Sequence, residues 1–233
     1  MTGTTGKGGR KRIEPRDAVR MLKRHYGPPA PLPTADPFAL ILLENVAYLA
    51  APARRREAFA ELERTIGTAP AEILAASPAA LQRVTARGIL KAAFAAKLRT
   101  CARIAIAECD GDVGAAIRKA PDDAARLLRL FPGIGAPGSE KILLFAGHRA
   151  TLAPESNGLR VLVRLGLVRD AGSYAGTYAA SREAVWGLST EPRVMQEAHL
   201  LLQQHGRTLC KRRLPLCDEC PLARRCAFAY RRG

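Results

Sequence analysis

Strand-forming residues are scarce in this chain. Only 5% of its 233 residues are aromatic, Trp occurs once, and no apolar–polar alternation lasts six positions. A sheet-based fold is thereby excluded, because strands draw on aromatic and β-branched side chains set at period two. Long apolar runs are missing too. The longest, Phe38 to Leu43, is far short of the roughly 20 residues that a membrane-spanning helix needs. The opening, Met1 to Arg12, is Gly/Thr-rich and then basic with no apolar stretch behind it, so no secretory signal is read and a cytoplasmic protein is expected. Acids are in deficit: 21 Asp and Glu stand against 37 Lys and Arg, a formal charge of +16. A polyanion is the natural partner of such a chain, and nucleic acid the commonest one, although charge alone does not choose DNA over RNA. The bland alternative is a solubilising surface charge.

Apolar residues make up 48% of the chain, with Ala and Leu dominant, so the expectation is a folded, all-α protein. Residues 1–14 read as a disordered basic arm carrying Lys7, Arg10, Lys11 and Arg12. A short helix over 16–26 follows, and then Gly27-Pro28-Pro29-Ala30-Pro31-Leu32-Pro33, which reads as a linker. From Pro37 onward one helix follows another, with breaks at Pro52, Gly67, Pro70, Pro78, Gly88, Gly111 and Pro121. The stretch 88–109 has the period of a long amphipathic helix, with Leu90, Phe94, Leu98, Cys101 and Ala105 on one face.

Six cysteines are present, and four crowd the end: Cys210, Cys217, Cys220 and Cys226, spaced C-x6-C-x2-C-x5-C. Four thiolates in so short a span can converge on one centre and suit either zinc or an iron–sulfur cluster. Disulfides are the weaker reading in a chain without a secretory signal. Lys211, Arg212 and Arg213 fall inside the first loop, where a metal-held backbone can hold them against phosphates. Cys101 and Cys109 read as buried small hydrophobes. His199 and His205, on a helix over 193–205, read as surface or outer-shell residues rather than ligands.

A second motif is Leu130-Phe131-Pro132-Gly133-Ile134-Gly135, entered by a helix over 122–130 and left by another at about 139–145. Gly133 and Gly135 allow a close backbone approach, Ile134 would plug the turn into the core, and the amides opening the next helix face a phosphate. Alone, such a P-G-x-G is only a turn. It stands 75 residues before the first of the four clustered cysteines.

Together these features resemble the endonuclease III family of helix-hairpin-helix DNA glycosylases. Pro37-Phe38, Thr100-Cys101, the hairpin, Arg160-Val161 and the cysteine cluster fall in family order and spacing, covering nearly the whole chain after residue 15. The resemblance implies an all-α, two-domain fold with a central cleft. Residues 35–149 would form a six-helix barrel domain with the hairpin, and 15–34 would join 150–233 as the cluster domain. It implies a [4Fe–4S] cluster on Cys210, Cys217, Cys220 and Cys226, and a monomer acting on double-stranded DNA, with nucleoid association. The damaged or mispaired base would be flipped into the cleft and its glycosidic bond broken.

Three departures from the family pattern bear on the chemistry. Bifunctional members carry a nucleophilic lysine two residues after the hairpin; that position here is Pro137, which has no amine to form a Schiff base. Lys141, one helical turn on, is the substitute to consider, against a plain solvent- or phosphate-facing role. The family's catalytic aspartate precedes a helix in a pattern ending Arg-Val, and Glu155 matches it; it would stabilise the cationic sugar, or else only complement the helix start. Where the family often places a glutamine to fill the hole left by the flipped base, this chain has Leu49; Leu49 or Ile89 could act as an apolar wedge. Glu44, Asn45 and Tyr48 are the candidates for base readout. The resulting expectation is a monofunctional glycosylase with little or no lyase activity. A catalytically weak damage- or structure-binding relative is the alternative, and a zinc-stabilised nucleic-acid-binding module the third reading.

Overall fold

The computed structural model describes residues 13–47, 50–88, 90–184 and 188–231. Among these the secondary structure is helical throughout, and no helix is long and apolar enough to cross a membrane. Of the arm expected over 1–14, residues 1–12 lie outside the described residues, while Ile13 is buried in the core and so does not belong to a disordered arm. The helices are α1 (Pro15–Tyr26), α2 (Pro37–Asn45), α3 (Pro52–Thr65), α4 (Pro70–Ala75), α5 (Pro78–Thr85), α6 (Lys91–Cys109), α7 (Val113–Lys119), α8 (Ala124–Leu128), α9 (Ala136–Phe145), α10 (Ser156–Leu165), α11 (Tyr174–Ala184), α12 (Pro192–Thr208) and α13 (Ala227–Tyr230).

Several prolines that read as breaks turn out to be helix openers. Pro52, Pro70 and Pro78 each begin a helix, as do Pro15, Pro37 and Pro192. A first-turn proline gives up an N–H that has no helical partner anyway, and its fixed φ already suits the helix. Side-chain caps finish the job at Asp36, Ser77 and Asp112, which accept from the amides of Ala39, Ala80 and Ala115. The long helix ends as its pattern demands. Asp110 turns left-handed at φ 50° and Gly111 follows at φ 83°, returning its amide to the Ala105 carbonyl. At its other end the register differs from expectation. Leu90 precedes the first helical turn (φ −125°, ψ 70°) and is 60% exposed, so it does not join the buried face of Phe94, Leu98, Cys101 and Ala105.

The chain divides into two compact units. Pro31–Ala153 forms one; Met1–Ala30 with Pro154–Gly233 forms the other. In the first, α2 is the hub. Its whole apolar run from Phe38 to Leu43 is buried, and it packs against α3, α6, α7 and α9. A helix apolar all round belongs inside a bundle, and each such side chain contributes roughly 1.5–3 kcal/mol on burial. Cys101 and Cys109 are buried in this unit too. In the second unit α10 and α12 form the main pair, α1 lies on α12, and α11 and α13 lie on α10. Residues 15–30 join this unit through buried Ala18, Val19 and Leu22, and through Lys23–Glu197 and Arg225–Asp17 ion pairs.

Candidate functional site

The hairpin lies between α8 and α9. Phe131 and Ile134 anchor it, both buried, and the Ile134 amide donates to the Phe131 carbonyl. Gly133 has φ +78°, and a Cβ built there would stand 2.9 Å from Asn45 Oδ1. Both facts call for glycine. Gly135 is different: its backbone is extended (φ −89°, ψ −170°), and a Cβ would meet nothing nearer than Pro137 Cδ at 3.9 Å. The fold itself does not require glycine there, and a need for it would come only from a ligand's close approach. Helix α9 opens earlier than the sequence pattern indicates, at Ala136, because Pro137 fits its first turn. No side chain caps it. The amides of Ala136 and Gly138 are therefore the groups available to an anion, and Pro137 offers neither amide nor amine.

Beneath the hairpin lies Asn45, 1% exposed. Its Nδ2 donates to the Ile41 carbonyl at 3.1 Å, while Oδ1 has no hydrogen-bond partner and faces Gly133. This placement corrects the expectation that Asn45 reads a base, since a side chain sealed under the turn cannot reach one; it seats the hairpin instead. Glu44, its neighbour, is held at both oxygens: Lys141 Nζ lies 2.7 Å from Oε1 and Arg55 Nη1 3.4 Å from Oε2. The Lys141 and Glu44 side chains are only 14% and 22% exposed. A nucleophilic lysine needs its amine aimed freely at the sugar, whereas this one is engaged in a part-buried ion pair. Lys141 thus serves as a partner of Glu44. Tyr48, Leu49 and Ile89 lie outside the described residues.

Glu155 stands at the N-cap of α10. Its Oε1 accepts from the amides of Asn157 and Gly158, both at 2.9 Å, and its Oε2 from Asn157 Nδ2 at 2.7 Å. A chain of hydrogen bonds then runs away from it. Asn157 Oδ1 accepts from Arg160 Nη2 at 2.8 Å; the same guanidinium donates to the Gly206 carbonyl at 2.7 Å and, through Nε, to the Cys210 carbonyl at 3.0 Å. Gly206 permits this closeness, because a Cβ there would stand 2.4 Å from the Asn157 carbonyl oxygen. The candidate catalytic carboxylate and the first cysteine are thus joined through two side chains. The sequence signalled Arg160 but not this use of it.

The cluster loop is gripped from α10. Arg164 Nη1 donates to the Lys211 carbonyl at 2.7 Å and reaches Cys210 Sγ at 3.3 Å, while Nη2 donates to the Arg212 carbonyl at 3.2 Å. The backbone of residues 211–212 is therefore fixed while the Lys211, Arg212 and Arg213 side chains stand in solvent. Cys210, Cys217, Cys220 and Cys226 line one apolar cavity with Arg164, Leu209, Leu222 and Phe228. Among the described residues no three metal-binding side chains are gathered around a point. The donor set nonetheless fits a thiolate-ligated centre. Burial pushes the Cys220 thiol up to about 11, and Cys210, Cys226 and Cys217 push it the same way, so the sulfurs feel one another. Arg164 acts in the opposite sense on Cys210, whose thiol burial raises. A bound cation would offset the cost of deprotonating Cys210 and Cys220.

His199 and His205 are not surface residues, as both are 1% exposed. His205 Nε2 lies 3.5 Å from Cys220 Sγ, and Nδ1 lies 2.9 Å from Tyr26 Oη.

No protein-family profile matches the chain. It is 26% identical to endonuclease III of Thermotoga maritima over 201 residues, spanning 85% of this chain and 86% of that protein. It is 31% identical to endonuclease III of Rickettsia felis over 108 residues, about half of each chain (46% and 47%). Human adenine DNA glycosylase is 30% identical over 114 residues, 48% of this chain and 20% of that protein. Among solved structures, a trapped endonuclease III–DNA covalent intermediate superposes with a TM-score of 0.73 at 19% identity, covering 93% of this chain and 96% of that one. A thermostable thymine-DNA glycosylase superposes with a TM-score of 0.68 at 16% identity, covering 91% and 95%. Along most of its length the chain is similar to endonuclease III, and its helical fold is the one seen in solved endonuclease III and thymine-DNA glycosylase structures.

Proposed function

We propose that the protein is a monofunctional base-excision glycosylase that removes a damaged or mispaired base from double-stranded DNA and leaves an abasic site. One observation carries this reading: a carboxylate, Glu155, is fixed at the start of α10, while the hairpin position where a lysine would attack the sugar holds Pro137 in the first turn of α9. As the bond from C1′ to the base breaks, its electron pair leaves with the base and positive charge grows on the sugar. An anionic Glu155 would stabilise that charge. A water oxygen then bonds to C1′, one water proton passes to the carboxylate and on to solvent, and the departing base takes up a proton. No covalent protein–DNA bond is needed at any step.

Binding would rest on the backbone at Gly133 and Gly135, on the opening amides of α9 with Ile134 holding the turn in the core, and on Lys211, Arg212 and Arg213. Cys210, Cys217, Cys220 and Cys226 would hold a [4Fe–4S] cluster, which supplies a redox-capable centre and fastens the loop. Protein purified anaerobically is expected to be yellow-brown with broad absorbance near roughly 400 nm, in the iron–sulfur charge-transfer region. Stoichiometric zinc without iron refutes the cluster. The enzymatic reading is tested with duplexes carrying uracil, thymine glycol, a G·T mismatch, 8-oxoguanine or an abasic site. Excision of at least one base, revealed as strand breaks only after alkali, is the expected result. A second reading, binding without turnover, draws on the two amide hydrogen bonds by which Glu155 caps α10, a job that needs no catalysis. Excision of none of these bases selects it.

A further inference from the structure

A buried histidine lines the cysteine cavity with a tyrosine hydrogen-bonded behind it, and neither has a part in the chemistry above. His205 sits in the last turn of α12, five residues before Cys210, enclosed to 1% exposure. Its Nε2 is 3.5 Å from Cys220 Sγ; its Nδ1 is 2.9 Å from Tyr26 Oη, which in turn lies 2.9 Å from Thr208 Oγ1. Tyr26 comes from the opposite end of the chain, the last residue of α1. We infer that His205, oriented by Tyr26, donates a hydrogen bond to the Cys220 sulfur and thereby sets the reduction potential of the iron–sulfur centre; the inference rests on the reading of the four cysteines as ligands of that centre.

The hydrogens decide the direction. A ligating sulfur is a thiolate and carries no proton, so across the 3.5 Å contact only Nε2–H can donate. A neutral imidazole then has no hydrogen on Nδ1, which must accept. The atom facing it is Tyr26 Oη, whose hydroxyl hydrogen is therefore committed to Nδ1. The Thr208 hydroxyl is free to comply, because it can donate either to Tyr26 Oη or to the Gln204 carbonyl 3.0 Å away. Tyr26 thus selects the tautomer that presents N–H to sulfur, as an outer-shell partner does for a metal-bound imidazole. An N–H aimed at a ligand sulfur stabilises the extra negative charge of the reduced centre and raises its potential. Arg164 provides a comparable donor to Cys210 from the α10 side, but it also holds the loop carbonyls, so His205 offers the cleaner test.

The test uses the full-length, cluster-loaded protein and reads iron and sulfide content together with a spectroscopic redox titration. With iron content unchanged, His205→Leu should move the reduced-to-oxidised ratio at a fixed potential threefold to tenfold toward the oxidised form. For one electron that is a negative shift of about 28–59 mV, at about 59 mV per tenfold. Tyr26→Phe should shift it in the same direction by less, since the tautomer is no longer selected. His205→Gln, whose amide can present an N–H at similar reach, should recover most of the wild-type value. Wild-type potentials in His205→Leu and Tyr26→Phe, both fully loaded, overturn the inference and leave His205 as packing. If His205→Leu fails to retain iron, Tyr26→Phe decides alone, a wild-type potential there again overturning it. Zinc without iron in the wild type is a separate outcome: it removes the cluster reading itself, and the inference with it.

Discussion

Replacing Glu155 by Gln changes one atom and disturbs two things that must be separated. The glutamine Oε1 can keep both backbone amides, but its Nε2 takes the place of Oε2, 2.7 Å from Asn157 Nδ2. Two donors then face each other. If the Asn157 amide rotates to present its oxygen, its nitrogen turns toward Arg160 Nη2, which had lain 2.8 Å from Oδ1, and two donors meet there instead. Either way one hydrogen bond to a charged group disappears, about 1.5–3 kcal/mol, along with a favourable charge at the helix start, about 0.3–1 kcal/mol. The folded state should therefore lose about 2–4 kcal/mol. Loss of the charge opposite the cationic sugar should lower single-turnover excision by about a hundredfold to a thousandfold, with duplex affinity nearly unchanged. Glu155→Ser separates the effects, since serine is a good N-cap without charge. It should restore thermal stability toward wild type and still fail to excise. Glu155→Asp, shorter by one bond of about 1.5 Å, keeps both cap and charge and should retain excision. Wild-type excision by Glu155→Ser, measured as alkali-revealed breaks, refutes the catalytic assignment and leaves a helix cap.

Other outcomes follow from the same geometry. Gly133→Ala should destabilise by about 2–5 kcal/mol, about 1–2 from the left-handed backbone and about 1–3 from overpacking against Asn45. In an Asn45→Ala background only the backbone part should remain, so strictly additive denaturation midpoints would disprove the packing of Asn45 on Gly133. Alanine at Lys211, Arg212 and Arg213 should flatten the dependence of log affinity on log salt by about 0.9 for each phosphate no longer neutralised, and an unchanged slope marks them as ordinary surface charge. Borohydride should trap little or no protein–DNA complex on an excised duplex; efficient trapping that disappears in Lys141→Ala would show that the amine escapes Glu44 and attacks after all.

The helical plan was legible because it depends on local period and composition. The apolar run at 38–43 announced a buried helix, and the left-handed stop at Asp110 and Gly111 sits where the break was expected. Proline was harder to interpret, since breaking one helix and opening the next look alike in sequence; Pro52, Pro70 and Pro78 do the second. Leu90 fits the period of α6 yet precedes its first turn, so the expected start at 88 overreached by three residues. The site was legible only where residues lie close along the chain, as in the cap at Glu155 and the run of clustered cysteines. Glu44 and Lys141 are 97 residues apart and Tyr26 and His205 are 179 apart, and no local pattern reports such pairings. His205 could have been flagged by its position five residues before Cys210. Asn45 could not, because polarity on a helix does not reveal whether a glycine lies over it.

Arg160 makes a substitution ordinarily regarded as mild into a severe one. Its planar head serves an Asn side chain and two carbonyls on different segments at once. A lysine ammonium, a compact point charge on a flexible stem, does not span that fork. Arg160→Lys would strip the Gly206 and Cys210 carbonyls of this donor, leaving Arg164 as the remaining grip of α10 on the loop, and would leave Asn157 free to rotate beneath Glu155. A wound in the loop that carries the cysteines would then be felt as a loosened carboxylate, and slackness at the carboxylate would travel back to the loop. Local damage to either part of this unit is, through one side chain, damage to both.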